Sequence, residues 1–296
     1  MQVGLHALGV GNGSKPEVMI AVAAAADAGD FATLWCGEHV VMADTPRSRY
    51  PYSGDGKIAV PPDADWLDPL LALSYIAAHS RRIMLATGVL LLPEHHPLIV
   101  AKQAATLDVL SGGRFALGVG VGWSAEEFDA LGVPFARRGA RTTEYIAAIR
   151  RAWASDVSSF FGEFVRFDAV RVYPKPTRGR KIPIIVGGTT DGALRRVATV
   201  GDGWYGFNMP AAEVTDRVEA LAAYCREHYR DPRSITVAVS LSDGDPDHLP
   251  DLAAAGVTEL VIVGAPPAEP DAAADWVEEL ADRWIRGPAR HHSARS

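Results

Sequence analysis

Cysteine is scarce in this chain: Cys36 and Cys225 are the only two in 296 residues, and their separation matches no metal or redox spacing. A disulfide-framed secreted fold is therefore excluded, and a reducing cytoplasm is the expected setting. Long apolar runs are also missing. The richest, at residues 85–92, is far shorter than a membrane span requires, and the opening MQVGLHALGV lacks the charged and apolar regions of a signal peptide. No basic run precedes the C-terminal residues, and 29 Lys+Arg against 36 Asp+Glu gives a net charge of −7. Nucleic acid and anionic membrane surfaces are thus not expected partners. Several chemical signatures are absent too: there is no G-x-S-x-G elbow, no H-E-x-x-H and no Cys/His dyad. Gly118-Val-Gly-Val-Gly122 is G-x-G-x-G, not the G-x-G-x-x-G of a dinucleotide fold, and the first strand lacks that motif as well.

What is present is a regular alternation. Short apolar runs at 3–8, 31–36, 83–92, 115–119, 183–186, 203–207, 235–240 and 259–263 read as strands, each followed by a segment able to form a helix. Start signals recur: Ser14-Lys-Pro-Glu17 reads as a capping box, and Asp68-Pro69 places an N-cap acid before a first-turn proline. Gly29 and Ser111-Gly112-Gly113 read as stops. Eight βα units predict an α/β fold of the (β/α)8 TIM-barrel type, with a doubly wound sheet as the alternative. The predicted domain is a single barrel over 1–286 with a flexible tail at 287–296. Two insertions interrupt it: a Pro-, Gly- and Tyr-rich loop at about 41–67, and a short hairpin within about 155–182.

Barrel function gathers at the C-terminal strand ends. Those positions are rich in glycine and poor in nucleophiles or paired carboxylates, which predicts a site that holds a cofactor. Gly187-Gly188-Thr189-Thr190 reads equally as a phosphate cradle at a helix start and as an ordinary βα turn with a threonine N-cap. Glu38-His39 follows strand two; His39 reads as a general acid or base, or as a histidine bonded to loop backbone. Ser124-Ala-Glu-Glu127 reads as a capping box, which makes Glu126 and Glu127 helix-start residues rather than catalysts. Glu94-His95-His96 lacks the i, i+4 spacing of a helical metal site and reads as structural. Lys102, Arg114, Arg138, Arg141 and Glu144 are expected in ion pairs on helix faces.

The segments WCGEH (35–39), TGVLLLPEHHPLIVAKQAATLDVLSGGRFALGVGVGW (87–123), GARTTEYIAAIRRAW (139–153), YPKPTRGRKIPIIVGG (173–188) and GDGW (201–204) together resemble the luciferase-like flavin and deazaflavin oxidoreductases, specifically the branch using coenzyme F420. The likeness covers about residues 3–204. It implies an insertion-bearing barrel, a non-prolyl cis peptide at Gly88–Val89 preceded by Thr87, and a cofactor held by Thr87, Gly88, Val89, Gly120, Val121, Gly122, Gly187, Gly188, Thr189 and Thr190. Glu38 and His39 match the family's acid–histidine pair, implying cofactor contact and substrate proton exchange; Glu38 is alternatively the residue that orients His39. Sugar-phosphate dehydrogenases of this branch carry a carboxylate where Trp123 stands, so a more apolar or aromatic small-molecule substrate is implied. The activity implied is hydride transfer between F420 and a small organic substrate. Alternatives are an FMN-dependent monooxygenase using reduced flavin and O2, and a non-catalytic flavin-binding barrel. The resemblance also implies a homodimer, for which the alanine-rich faces at 18–28 and 146–153 are candidates.

Overall fold

Strands of four or more consecutive apolar residues need cover on both faces, and a barrel ringed by helices provides it. The computed structural model describes residues 1–177, 179 and 181–287; the predicted tail, from 288 onward, lies outside them. In chain order the elements are β1 (Gln2–Leu8), α1 (Pro16–Ala28), β2 (Thr33–Cys36), α2 (Pro69–His79), β3 (Met84–Thr87), β4 (Leu90–Leu91), α3 (Pro97–Leu110), β5 (Phe115–Gly120), α4 (Ala125–Ala130), α5 (Arg138–Ala154), β6 (Ser158–Phe161), β7 (Arg166–Val170), β8 (Ile184–Gly187), α6 (Asp191–Val200), β9 (Gly203–Met209), α7 (Ala211–Glu227), β10 (Thr236–Leu241), α8 (Leu249–Ala255), β11 (Glu259–Val263) and α9 (Pro270–Ala281). Parallel pairing runs β3-β2-β1-β11-β10-β9-β8-β5, and β3 pairs with β5 to close the ring. The apolar run at 83–92 is one stave broken in two: β3 meets β5 at Leu85↔Phe115, and β4 meets it again at Leu90↔Val119. The eight predicted strands thus form the eight staves of a closed (β/α)8 barrel.

Inside the ring, Trp35, Ala86, Ile185, Tyr205, Ala238 and Val261 form their own cluster, separate from the larger core between staves and helices. Trp35 stacks on Tyr205 with centroids 4.6 Å apart. At the closed end Trp35 Nε1 donates to Glu259 Oε1 at 3.0 Å. A side chain at Gly4 would collide with that carboxylate, so the glycine makes room for it.

Local signals predict three helix starts. Asp68 caps α2 by accepting from Leu71 N, Ser124 caps α4 from Glu127 N, and Thr190 caps α6 from Ala193 N. The expected box at Ser14 does not form. Lys15 is the N-cap of α1, and the Ser14 hydroxyl donates to Gly11 O at 2.6 Å inside a preceding tight turn. In the alanine-rich segments expected to pair two barrels, Val18, Val22, Ala23, Ala26, Ile146, Ala148, Ile149 and Ala152 are buried within the chain, while Ala24 and Ala28 are exposed on α1. Larger exposed apolar side chains sit on α2 and α3, at Leu71, Tyr75, Ile99 and Leu110.

Both insertions follow short-range chemistry. In the hairpin, β6 and β7 pair antiparallel with Phe160 opposite Phe167, within the expected 155–182. Glu144 pins its turn by accepting from Glu163, Phe164 and Val165 amides. That replaces the ion pair expected of Glu144, and the cations grouped with it also bond main chain. Lys102 donates to Tyr173 O, Arg114 to Ile83 O, Arg138 to Gly122 O and Arg141 to Pro134 O. Residues 41–67 are strapped over the barrel mouth at three staves. Leu67 N donates to Gly9 O at 2.8 Å, Ser48 Oγ accepts from Ala125 N at 3.0 Å, and Asn208 Nδ2 donates to Tyr52 O at 2.8 Å.

Candidate active site

The stave break defines the mouth. Its Gly88–Val89 peptide is cis, and Val89 projects between β5 and β8. A Cβ at Gly120 would lie 2.6 Å from Val89 Cγ2, and one at Gly187 would lie 2.9 Å from Val89 Cγ1. Two glycines from separate sequence motifs thus make room for one valine. Thr87 is fully buried and donates through Oγ1 to Gly118 O at 2.6 Å, so its side chain ties β3 to β5 and does not reach the mouth. Val121 and Gly122 remain part-exposed at the rim, and Gly122 has a φ of +75° where an added side chain would also strike Phe128. Gly188 and Thr189 are part-exposed at the start of α6, and Trp204 Nε1 holds the turn by donating to Gly188 O at 2.7 Å.

The acid–histidine pair of the sequence is not a pair in space. Successive side chains of extended backbone point to opposite sides, so Glu38 and His39 find different partners. Glu38 Oε2 accepts from Leu91 N at 2.6 Å, and its carboxylate meets His95 Nε2 at 3.0 and 3.1 Å. Burial alone would pull the His95 pKa down. The hydrogen bond and charge of Glu38 outweigh it, and the net displacement is upward. His95, read from sequence as structural, is thus the part-exposed half of a hydrogen-bonded pair with the buried Glu38. Its neighbour His96 caps α3 by accepting from Leu98 N. Among the described residues no group of His, Cys, Asp and Glu could hold a metal ion.

His39 turns the other way, to Glu127. Its Nδ1 lies 2.8 Å from Glu127 Oε2, while Glu127 Oε1 accepts from Val40 N at 2.7 Å. Glu127 is 1% exposed, and its expected role as a helix-start residue is secondary to fixing this ring. The other ring nitrogen, Nε2, faces Trp123 Nε1 at 3.3 Å. An indole N–H only donates, so Nε2 is the acceptor and the hydrogen resides on Nδ1. Trp66 packs edge-on against His39 at 4.8 Å, and Trp123 does so at 5.6 Å. This is a histidine with a fixed tautomer, a buried carboxylate behind it and a lone pair that only the Trp123 indole engages among the described residues, an arrangement that suits a general base once a substrate displaces the indole.

Two further groups stand out: Glu94, read from sequence only as structural, and His6, which the sequence did not mark. Both carboxyl oxygens of Glu94 are buried without a hydrogen-bond partner among the described residues, and burial, reinforced by Glu127 and Glu38, pushes its pKa up to about 9. It is a neutral acid at pH 7. His6 lies inside the barrel with Nδ1 3.1 Å from the Tyr205 hydroxyl, and burial drives its pKa down to about 4. Only its place in the strand QVGLHAL could have marked His6, and the run Glu94-His95-His96 gave no sign that the Glu94 carboxyl is buried without a partner.

A closed parallel barrel with its polar residues at the C-terminal stave ends is the architecture of a (β/α)8 enzyme. The chain belongs to the luciferase-like monooxygenase family, whose sequence profile matches residues 2–242, and the members of this family are oxidoreductases and monooxygenases. An uncharacterized protein of Mycobacterium tuberculosis is 35% identical over 263 residues, covering 88% of this chain and 92% of its own length. The fold is shared with the coenzyme F420 dependent tetrahydromethanopterin reductase of Methanopyrus kandleri (TM-score 0.75, 18% identity, 96% of this chain and 98% of that one). It is shared equally with the monooxygenase RslO1 of Streptomyces bottropensis (TM-score 0.73, 21% identity, 95% and 98%). No helix among the described residues is long and apolar enough to cross a membrane.

Proposed function

We propose that this protein is an F420-dependent oxidoreductase moving a hydride between the deazaflavin and a small organic substrate, with His39 exchanging the substrate proton. The observation carrying the reading is the Glu127–His39 pair, which presents an Nε2 without hydrogen at the barrel mouth, its lone pair held by the Trp123 indole until a substrate oxygen replaces it. The mouth fits a flat group with an anionic tail: Val89 offers a raised apolar seat, and Gly188, Thr189 and Thr190 open α6 with its amide ends. Val89, Val121, Gly122 and the Gly188–Thr190 turn would hold the cofactor. Gly120 and Gly187 shape the seat from behind Val89, and Glu38 fixes the adjoining Leu91 backbone. Bound deazaflavin supplies a two-electron hydride donor or acceptor, and the protein supplies position and proton management.

His39 Nε2 takes the proton of a substrate hydroxyl in one direction and returns it in the other. Glu127, buried and already accepting from backbone, stabilises the imidazolium that forms, as a triad aspartate does for its histidine. Trp66 and Trp123 flank the ring and keep bulk water from the lone pair.

Titration of the purified protein with F420 and with FMN tests the reading. Saturable F420 binding with weaker FMN binding is expected; tight FMN binding with no F420 binding would replace it with the flavin monooxygenase alternative. A cofactor bound but inert towards a broad substrate panel would favour the non-catalytic carrier. On an identified substrate, His39→Ala is expected to lower turnover by roughly 10²–10⁴-fold.

A further inference from the structure

Beside His39 the strap over the mouth encloses a cavity of about 250 Å³. Its walls are Val41, Met42, Pro46, Ile58, Val60 and Pro62, and Trp123 and His39 close its inner end. Among the described residues, the only charged side chains lining it are Asp44 and Lys57, which are exposed and opposite in sign. Ser48 and Ser124 also line it, but their hydroxyl groups are engaged by Ala125 N, Glu127 N and Glu126, so an anion inside would lack the cluster of free donors that burying a charge demands. The volume lies below the ~300–1,000 Å³ of sites for drug-sized ligands, so a compact occupant is selected.

The polar end of the cavity is specific. Trp123 Nε1–H is a donor, and His39 Nε2, 3.3 Å from it, is an acceptor. A hydroxyl group complements both at once, accepting from the indole while donating to the imidazole. A carbonyl uses the indole alone, or both once the imidazole carries a proton. With no guest present the two side chains satisfy each other.

We propose that this cavity binds a compact, uncharged molecule with an apolar body and a single hydroxyl or carbonyl, and that Trp123 and His39 together recognise its oxygen. The assignment names the substrate class for the site proposed above and rests on that reading for His39. Trp123 is then a specificity residue, its indole exchanging His39 for the incoming oxygen. Tyr50, packed edge-on against Trp123 at 5.3 Å, backs the indole from the strap.

The test uses cofactor-free full-length protein and two probes with one body, cyclohexanol and cyclohexyl phosphate, followed by NMR of the Trp123 indole N–H signal, which is assigned by its loss in Trp123→Phe. Cyclohexanol is expected to move that signal saturably and to bind at least tenfold more tightly than cyclohexyl phosphate. Trp123→Phe, which keeps the aromatic wall and removes the donor, is expected to weaken cyclohexanol binding by about two- to tenfold. Val60→Asp, on the opposite wall, is expected to weaken it at least tenfold while F420 affinity stays unchanged. Equal or tighter binding of the phosphate, an unmoved indole signal, or unaltered affinity in Trp123→Phe would overturn the proposal. So would competitive displacement of cyclohexanol by F420 or FMN, which would make the cavity part of the cofactor seat. Parallel F420 titrations keep the two claims separate: lost F420 binding with cyclohexanol binding intact breaks the functional reading alone, and the reverse breaks only this one.

Discussion

Two histidine–carboxylate pairs stand side by side at the mouth of this barrel, and they are built differently. In one, Glu38 uses an oxygen on Leu91 N and holds His95 by Nε2. In the other, Glu127 holds His39 by Nδ1 and leaves Nε2 towards the cavity, touched only by an indole donor. The first pair ties the chain after β2 to the stave break through the Glu38 carboxylate. The second sets its other ring nitrogen beside the cavity. A carboxylate beside a histidine is thus no mark of catalysis; what matters is which ring nitrogen remains and where it points.

Breaking the second pair should give the largest kinetic effect. Glu127→Gln keeps the shape but removes the charge that stabilises the imidazolium, and turnover on an identified substrate should fall by roughly 10²–10⁴-fold with F420 affinity little changed. Glu38→Ala should do the opposite. Removing one member of a buried pair costs about 3 kcal/mol or more, so denaturant melts should show lost stability, with turnover per folded molecule comparatively spared.

Glu94 sits near both carboxylates and sharpens the contrast by pH. Its pKa is raised from 4.5 to about 9, so the folded state holds a proton that the unfolded chain releases between those values. Stability is therefore full below pH 4.5 and declines as pH rises towards 9. Glu94→Gln should flatten that decline, gaining stability over the parent at pH 8 and little at pH 4, as read from melts across pH. The smallest change is Gly120→Ala. Its methyl would press on Val89, and a shifted seat should weaken F420 binding by about tenfold, with the fold retained.

The staves were legible because a helix-covered parallel strand is simply a short apolar run, and the eight runs close in the expected order. The caps at Asp68, Ser124 and Thr190 were legible because each acts within three residues. Ser14 failed because a tight turn ending at Ser14 leaves Lys15 to open the helix. The site was legible by position and illegible by partner. His39 was visible at a strand end, but its carboxylate lies 88 residues away, where the capping signal of Ser124 gave Glu127 a sufficient local explanation. Glycine clusters suggested a cofactor contact at Gly120 and Gly187, whereas space for Val89 is what both supply. Thr87 looked available only because its hydrogen bond to Gly118 crosses between staves.

The most direct test of the account is NMR of the His39 ring nitrogens near neutral pH. A hydrogen on Nδ1 and a bare Nε2 are predicted, with that preference lost in Glu127→Gln and kept in Glu38→Gln. A hydrogen on Nε2 in the parent protein, or a tautomer indifferent to Glu127, would contradict it.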